Sequence, residues 1–405
     1  MQSKILAYQN NSHGHNLAWL AFLLSLGIAV IETILPNFAK KILGNEVLVG
    51  YFYATLSLVM LAGNLLLCFI LERISKIRFF YFSSILLALS SLAFIFIVSP
   101  FSFISIQYLR TIIFAFVFLS LGLMVRDFTP KEQLGRAEGA RFVFSNIGWF
   151  IGPILAGVLA KTYGNNSVFL FSAGIFFLLI LFFLHQHFFE EKQFLSSQCD
   201  FQSHHFLHNF SDFFQSHKRK LSYLVGFGLG MWWVVVYVYF PLFIINRGLD
   251  ETAVGIFLAG VTIPLLLFEK FAGRIADQYG INHPLIFGFS LLGVAGISAF
   301  FINDQTYLVL LFFILASIGA AFIEPLQEMY FFQATDEKEE NRLFGIFYTS
   351  NSLAKFIMPL LASSIILFFK FEYIFFVIGI LMLMIAFLLH IFRPMELEKI
   401  INGEL

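Results

Sequence analysis

Charge is what this chain has least of. Asp, Glu, Lys and Arg make up 12% of its 405 residues, against 59% apolar ones, where a soluble domain carries about 25% charged residues. A water-exposed globule is excluded, and the mean hydropathy of +0.84 agrees. The few charges cancel, 25 basic against 25 acidic, which leaves no basic footprint for nucleic acid. With only Cys68 and Cys199, a disulfide framework is excluded, and neither cysteine sits in a metal-ligand spacing. No nucleophile–base pair, phosphate loop or cluster of metal ligands stands out, so neither an enzyme nor a cofactor is expected. The opening "MQSKILAYQNNSHGHN" lacks a signal-peptide pattern, so the first apolar run is expected to be retained.

What the chain has is long apolar runs. A bilayer core needs ~20 apolar residues per helix. Runs of that order fall at Leu17–Phe38, Val47–Leu71, Phe79–Val98, Phe101–Val125, Phe142–Ala160 and Val168–Phe189. After a polar stretch come Leu221–Ile245, Ala253–Phe271, Pro284–Ile302, Tyr307–Phe332, Leu343–Phe369 and Tyr373–Phe392. An all-α membrane protein of roughly twelve spanning helices is the reading. Among the 25 Lys and Arg, only Lys40, Lys41, Lys161, Arg247 and Lys370 fall on one side, with Arg110 and Lys355 inside spans. Basic residues gather on the cytoplasmic side. Both termini are therefore expected there, and the chain is expected in the inner (plasma) membrane.

The two halves repeat one another. "PNFAKKILGNEVLVGYF" from Pro36 aligns with "PLFIINRGLDETAVGIF" from Pro241, matching Pro36 to Pro241, Glu46 to Glu251 and Gly50 to Gly255 at one constant spacing. One residue later in register, Arg136, Gly139 and Pro153 meet Arg342, Gly345 and Pro359. The expected organisation is an N-terminal six-helix bundle over 1–189, a cytoplasmic linker over 190–220 and a C-terminal bundle over 221–405. In the linker, Phe206, Phe210, Phe213 and Phe214 recur at helical spacing, which predicts an amphipathic helix on the inner leaflet.

Parallel six-helix repeats around a central cytoplasmic loop resemble the major facilitator superfamily. "GRIADQYGIN" with Arg274 and Asp277 is similar to that family's loop signature, and "LERISKIR" with Glu72 and Arg73 is its degenerate partner. The resemblance implies a gating role for these four. "NIGWFIGPILAG", with Gly148, Gly152, Pro153 and Gly157, serves close helix packing. It also resembles, in part, the antiporter signature of the family's exporters.

An ionisable group inside a span costs ~2.5–3.5 kcal/mol on insertion scales, so it is expected to face a partner or a cavity. Glu32, Arg110, Glu324 and Lys355 lie well inside spans, and Glu328 lies nearer the cytoplasmic edge as a gate candidate. Arg110 resembles the family's fourth-span arginine, and Glu324 the tenth-span acid of some multidrug/proton antiporters. Glu32 with Arg110 and Glu324 with Lys355 are the expected pairs, and they are the substrate- and proton-coupling candidates. Trp232, Tyr237, Tyr239 and Asn146 are candidates for pocket lining. All ten histidines fall on the expected cytoplasmic side, which leaves carboxylates as the titrating groups. The reading is a monomeric secondary transporter working by alternating access. It would exchange protons for small lipophilic or cationic molecules across the bilayer. The alternative is a uniporter or proton symporter importing a polar nutrient such as a sugar or organic acid, for which the spans offer few amides.

Overall fold

The computed structural model describes residues 2–71, 75–129, 134–186 and 206–392. Every regular element among these is helical. In chain order they are α1 (Gln2–Leu43), α2 (Glu46–Leu71), α3 (Lys76–Ala93), α4 (Pro100–Phe128), α5 (Leu134–Tyr163), α6 (Asn165–His185) and α7 (Phe206–Phe213). There follow α8 (His217–Val234), α9 (Phe240–Asn246), α10 (Glu251–Tyr279), α11 (Asn282–Phe301), α12 (Thr306–Gln333), α13 (Glu337–Phe368) and α14 (Tyr373–Ile391). Twelve segments of these are long and apolar enough to cross a membrane, α8 and α9 counting as one segment over His217–Asn246. Each of the twelve apolar runs read from the sequence coincides with one of them.

Local chemistry sets where helices begin. Ser99 caps α4: its side chain and that of Ser102 each accept from the other's backbone N–H, with Pro100 already in helical φ at the first position. Ser75 caps α3 through the N–H of Arg78. Gly164, at φ +82°, makes the break between α5 and α6 that a residue with a Cβ would resist. Between α8 and α9 the chain takes one π turn, Val235–Tyr239, just before Pro241. Proline has no N–H to give, and the wider turn accommodates that loss.

Contacts divide the chain into two compact units. The first comprises Met1–Phe201, Val234–Ile263 and Lys355–Phe368, and the second Gln202–Trp233, Pro264–Ala354 and Phe369–Leu405. In the first unit, α1, α3, α4 and α6 share one core that includes Leu20, Leu24, Phe80, Leu87, Val117, Phe176 and Phe183. α5 lies against α1 backbone to backbone. A Cβ at Gly148 would come within 2.8 Å of the Leu26 nitrogen, and one at Gly152 within 2.7 Å of the Ala29 Cβ. The small residues of the "NIGWFIGP" stretch thus serve the packing expected of them.

In the second unit, Gly288 of α11 meets Gly319 of α12, and Gly293 and Gly296 of α11 meet Gly379 of α14. The linker helix α7 buries part of its apolar side on protein. Phe213 is fully buried against Phe331, Leu343, Ile346 and Phe347, while Phe210 is left exposed. Burial among aromatic rings is available to Phe213 only on protein. Charges fix the position: Arg219 bridges Asp212 and Glu339, and Arg342 reaches Asp212, Glu339 and Asn209.

Candidate functional site

The first unit holds a group of buried charges. Arg110, on α4, is 1% exposed, and its Nε and Nη2 find no hydrogen-bond partner among the described residues. One turn earlier on the same helix, Gln107 is also buried, with Oε1 unmatched among them. Glu32 of α1 feels the positive charge of Arg110 and, more weakly, that of Lys355 on α13. The two charges expected to pair thus act on each other through space, while the guanidinium keeps two of its donors unused. Tyr53 of α2 lies within reach of Glu32 and of Tyr239.

The aromatic candidates fall to different tasks. Tyr237, on the π turn, is partly buried and sets its ring edge-on 5.3 Å from that of Trp149. Tyr239 is fully buried and donates to the Pro359 carbonyl at 3.1 Å. Trp232 is likewise fully buried in the second unit, stacked at 4.7 Å on Phe313. Asn146 is partly buried on α5.

Trp233, which was not among the pocket candidates, reaches a charge. Its Nε1 donates to Glu324 at 2.9 Å. Glu269 of α10, not among the sequence candidates, stands close enough to Glu324 for the two carboxylates to repel. Its signal was "LLLFEKF", an acid inside an apolar run, masked by the adjoining Lys270 at the span's end. Glu324 and Glu269 therefore bring two acids and an indole together in the second unit.

Of the expected gate residues, Glu72 and Arg73 lie outside the described residues. Asp277 and Arg274 are exposed at the end of α10, where Arg274 lies over the Phe271 ring. Glu328 accepts a 2.7 Å hydrogen bond from the Tyr348 hydroxyl. In the first unit, Lys76 on α3 pairs with Asp127 on α4 at 2.6 Å.

The opposite end of the first unit is tied by its own set of charges. Lys40 bridges Glu46 at 2.6 Å, Lys161 bridges Asp250 at 2.7 Å, and Lys41 approaches Glu251 at 3.7 Å. Asn246 donates to Glu46 at 3.0 Å. Asp250 lies outside the spans, and its carboxyl is held below the usual range by the hydrogen bond from Lys161.

Beneath these bridges the repeat crosses over on itself. Gly50 of α2 sits against the Pro359 carbonyl and Ser363 of α13, and Gly255 of α10 sits against the Pro153 carbonyl and Gly157 of α5. Gly50 and Gly255 are repeat mates, as are Pro359 and Pro153, so one contact is built twice. Ser363 further donates to the Val47 carbonyl at 3.0 Å.

Comparison with known proteins gives the family and the fold. Residues 17–267 and 222–404 match the sequence profile of the Major Facilitator Superfamily. The chain is 22% identical over 342 residues to an uncharacterized MFS-type transporter of Methanocaldococcus jannaschii, covering 84% of this chain and 87% of that one. It is 23% identical over 258 residues to a Lactococcus lactis homolog of a multi-drug resistance efflux pump, 60% of each chain being covered. Among solved structures, a POT family transporter in complex with a thioalcohol-conjugated peptide superposes with a TM-score of 0.76, at 12% identity, over 94% of this chain and 95% of that one. A bacterial homolog of the human lysosomal transporter Spinster, inward-facing and unoccupied, gives 0.73 at 11% identity, over 95% of both chains.

Proposed function

We propose that this chain, which belongs to the Major Facilitator Superfamily and is a multi-pass membrane transporter of that type, exports small lipophilic molecules in exchange for protons. It does so by alternating access, as a monomer in the inner (plasma) membrane with both termini in the cytoplasm and with two six-helix bundles related by the sequence repeat. The observation that carries this reading is the placing of carboxylates inside spans next to groups that respond to their charge. Glu32 lies under the field of Arg110 and Lys355, and Glu324 lies beside Trp233 and Glu269.

A carboxylate at membrane depth binds a proton or a cationic group of the substrate, but not both well at once, and that competition couples the two fluxes. Glu324 suits a lipophilic amine, because the Trp233 indole offers an aromatic face beside the negative charge. The similarity to a multidrug efflux pump homolog supports the outward direction.

The test is transport in inverted vesicles with an imposed proton gradient, run against a panel of lipophilic dyes and of sugars. Gradient-driven uptake of dyes, abolished by an uncoupler, is the expected result. Uptake of sugars alone would instead favour the nutrient importer.

A further inference from the structure

We infer that the end of the first unit tied by Lys40, Lys41 and Lys161 is closed by two unequal arms, and that rising salt opens the charged arm first. Only what the opening admits rests on the alternating access proposed above. The two arms are copies of one another across the sequence repeat. In the first, the start of α10 meets α1 and α5: Lys41 approaches Glu251 at 3.7 Å, Thr252 donates to the Gly157 carbonyl at 3.4 Å, and Gly255 sits against the Pro153 carbonyl. In the second, the start of α2 meets α9 and α13: Asn246 donates to Glu46 at 3.0 Å, Ser363 donates to the Val47 carbonyl at 3.0 Å, and Gly50 sits against the Pro359 carbonyl. Each contact of one arm answers one of the other. Lys41 aligns with Asn246, Val47 with Thr252 and Gly157 with Ser363, at the same spacings as the mates already named.

The chemistry of the copies differs. In the α2 arm a neutral group takes part in each of these hydrogen bonds: Asn246 stands where its mate is a lysine, and it also accepts from Lys40 at 2.5 Å. Ser363, in the same arm, is fully buried. Lys40 also bridges Glu46, but both belong to the first repeat, so that pair does not hold the copies together. The α10 arm relies on charge. Lys41 and Glu251 attract across 3.7 Å, and Lys161 adds a bridge to Asp250 at 2.7 Å. That bridge has no copy, since Lys161 and Asp250 align with Leu367 and Asn45. Lys41 and Lys161 leave 60% and 57% of their side chains in solvent. Exposed charges attract over about 10 Å at 0.1 M salt and about 3 Å at 1 M, whereas buried partners are screened much less. A neutral donor or acceptor has no net charge to screen. Salt therefore removes support from the α10 arm and spares the α2 arm, so α10 parts first and α2 follows.

Hydrogen exchange read by mass spectrometry, on the purified full chain in nanodiscs of neutral phosphatidylcholine, tests this without a variant. Segments 45–52 and 250–257 are repeat mates, so each controls for the other. Between about 0.1 M and about 1 M sodium chloride, exchange in 250–257 should quicken at least about three-fold more than in 45–52. A smaller margin, or 45–52 quickening ahead, overturns the inference. Replacing both lysines, Lys41→Gln with Lys161→Gln, should give the fast exchange in 250–257 already at the lower salt and remove its further rise. An undiminished salt response in the folded double variant would likewise overturn it, and a variant that fails to fold leaves the wild-type comparison intact. Opening of 250–257 ahead of 45–52, in a chain that shows no gradient-driven flux of dyes or sugars, would sink the export reading and leave this one standing. Flux with both segments responding alike would do the reverse.

Discussion

At the scale of single residues, the acids separate by what surrounds them. Glu324 accepts from Trp233 and is repelled by Glu269, so its charge has both an anchor and an opponent in the same unit. Glu324→Gln mimics the protonated side chain. It should leave the protein folded and still able to bind a neutral dye. Gradient-driven uptake should fall to the level seen with uncoupler, and a lipophilic amine should bind at least ten-fold more weakly. Full uphill transport by this variant, measured in inverted vesicles, would remove Glu324 from the coupling step. Trp233→Phe keeps a smaller aromatic face and removes the N–H. An effect on amine affinity smaller than that of Trp233→Leu is therefore expected in the same binding assay, if the aromatic face is what the amine uses. The sequence made Glu32, Arg110, Glu324 and Lys355 visible because a charge inside an apolar run stands out against its neighbours. It hid Glu269 beside Lys270, and it offered Trp232 for the pocket rather than Trp233, because nothing in a tryptophan pair says which ring turns into the core.

At the scale of elements, helix existence was legible and helix contact was not. Runs of about 20 apolar residues announce spans by length alone. Which spans meet depends on backbone approach, which shows in sequence only as scattered glycines. The repeat supplied part of the missing information. Gly50 and Gly255 align as mates, and the structure uses both for the same contact with a proline carbonyl. A Cβ at either place runs into backbone, which cannot move aside as a flexible side chain would. Gly50→Val and Gly255→Val should therefore each loosen this end of the first unit. Turnover should fall several-fold while substrate affinity is kept, and alkylation of a Ser363→Cys reporter should quicken in the Gly255→Val background. Gly174→Val, where a Cβ meets nothing within 4 Å, is the silent control. Equal effects at Gly174 and Gly255 would mean that valine disturbs the helices rather than the contact.

The bridges over this contact behave differently from the buried acids when pH changes. Lys161 holds the Asp250 carboxyl below its ordinary pKa. A group depressed on folding stabilises the folded form above its unfolded pKa, and that help disappears only as pH falls through the lower, folded value. The Asp250–Lys161 bridge should thus be indifferent to pH from neutrality down to about 5 and fail only in stronger acid. Asp250 is well exposed, so its loss should matter little singly. Asp250→Asn is expected to leave the pH profile of transport unchanged between pH 5.5 and 8. A shifted profile would place proton sensing at this end, away from the carboxylates within the spans.

At the scale of the whole molecule, the proposed exchange fixes how many charges cross the membrane in one cycle. With one proton entering for each molecule leaving, export of an amine cation moves no net charge. Export of a neutral amide moves one charge inward, and export of a carboxylate moves two, because an anion leaving and a proton entering add. Each elementary charge gains about 2.3 kcal/mol per 100 mV of potential. A potential of 100 mV therefore contributes about zero, 2.3 and 4.6 kcal/mol to the three substrates, or up to roughly a 50-fold and a 2000-fold accumulation ratio. Imposing a potassium diffusion potential on proteoliposomes, with pH equal on both sides, separates the three cases. A naphthoate should respond most steeply, its amide less, and naphthylmethylamine not at all. The order depends on the substrate charges and on one counter-moving proton, and not on the affinities. An amine that responds as strongly as the amide would mean that it leaves as the neutral base, and a carboxylate driven no more than its amide would mean that the acid crosses together with its own proton.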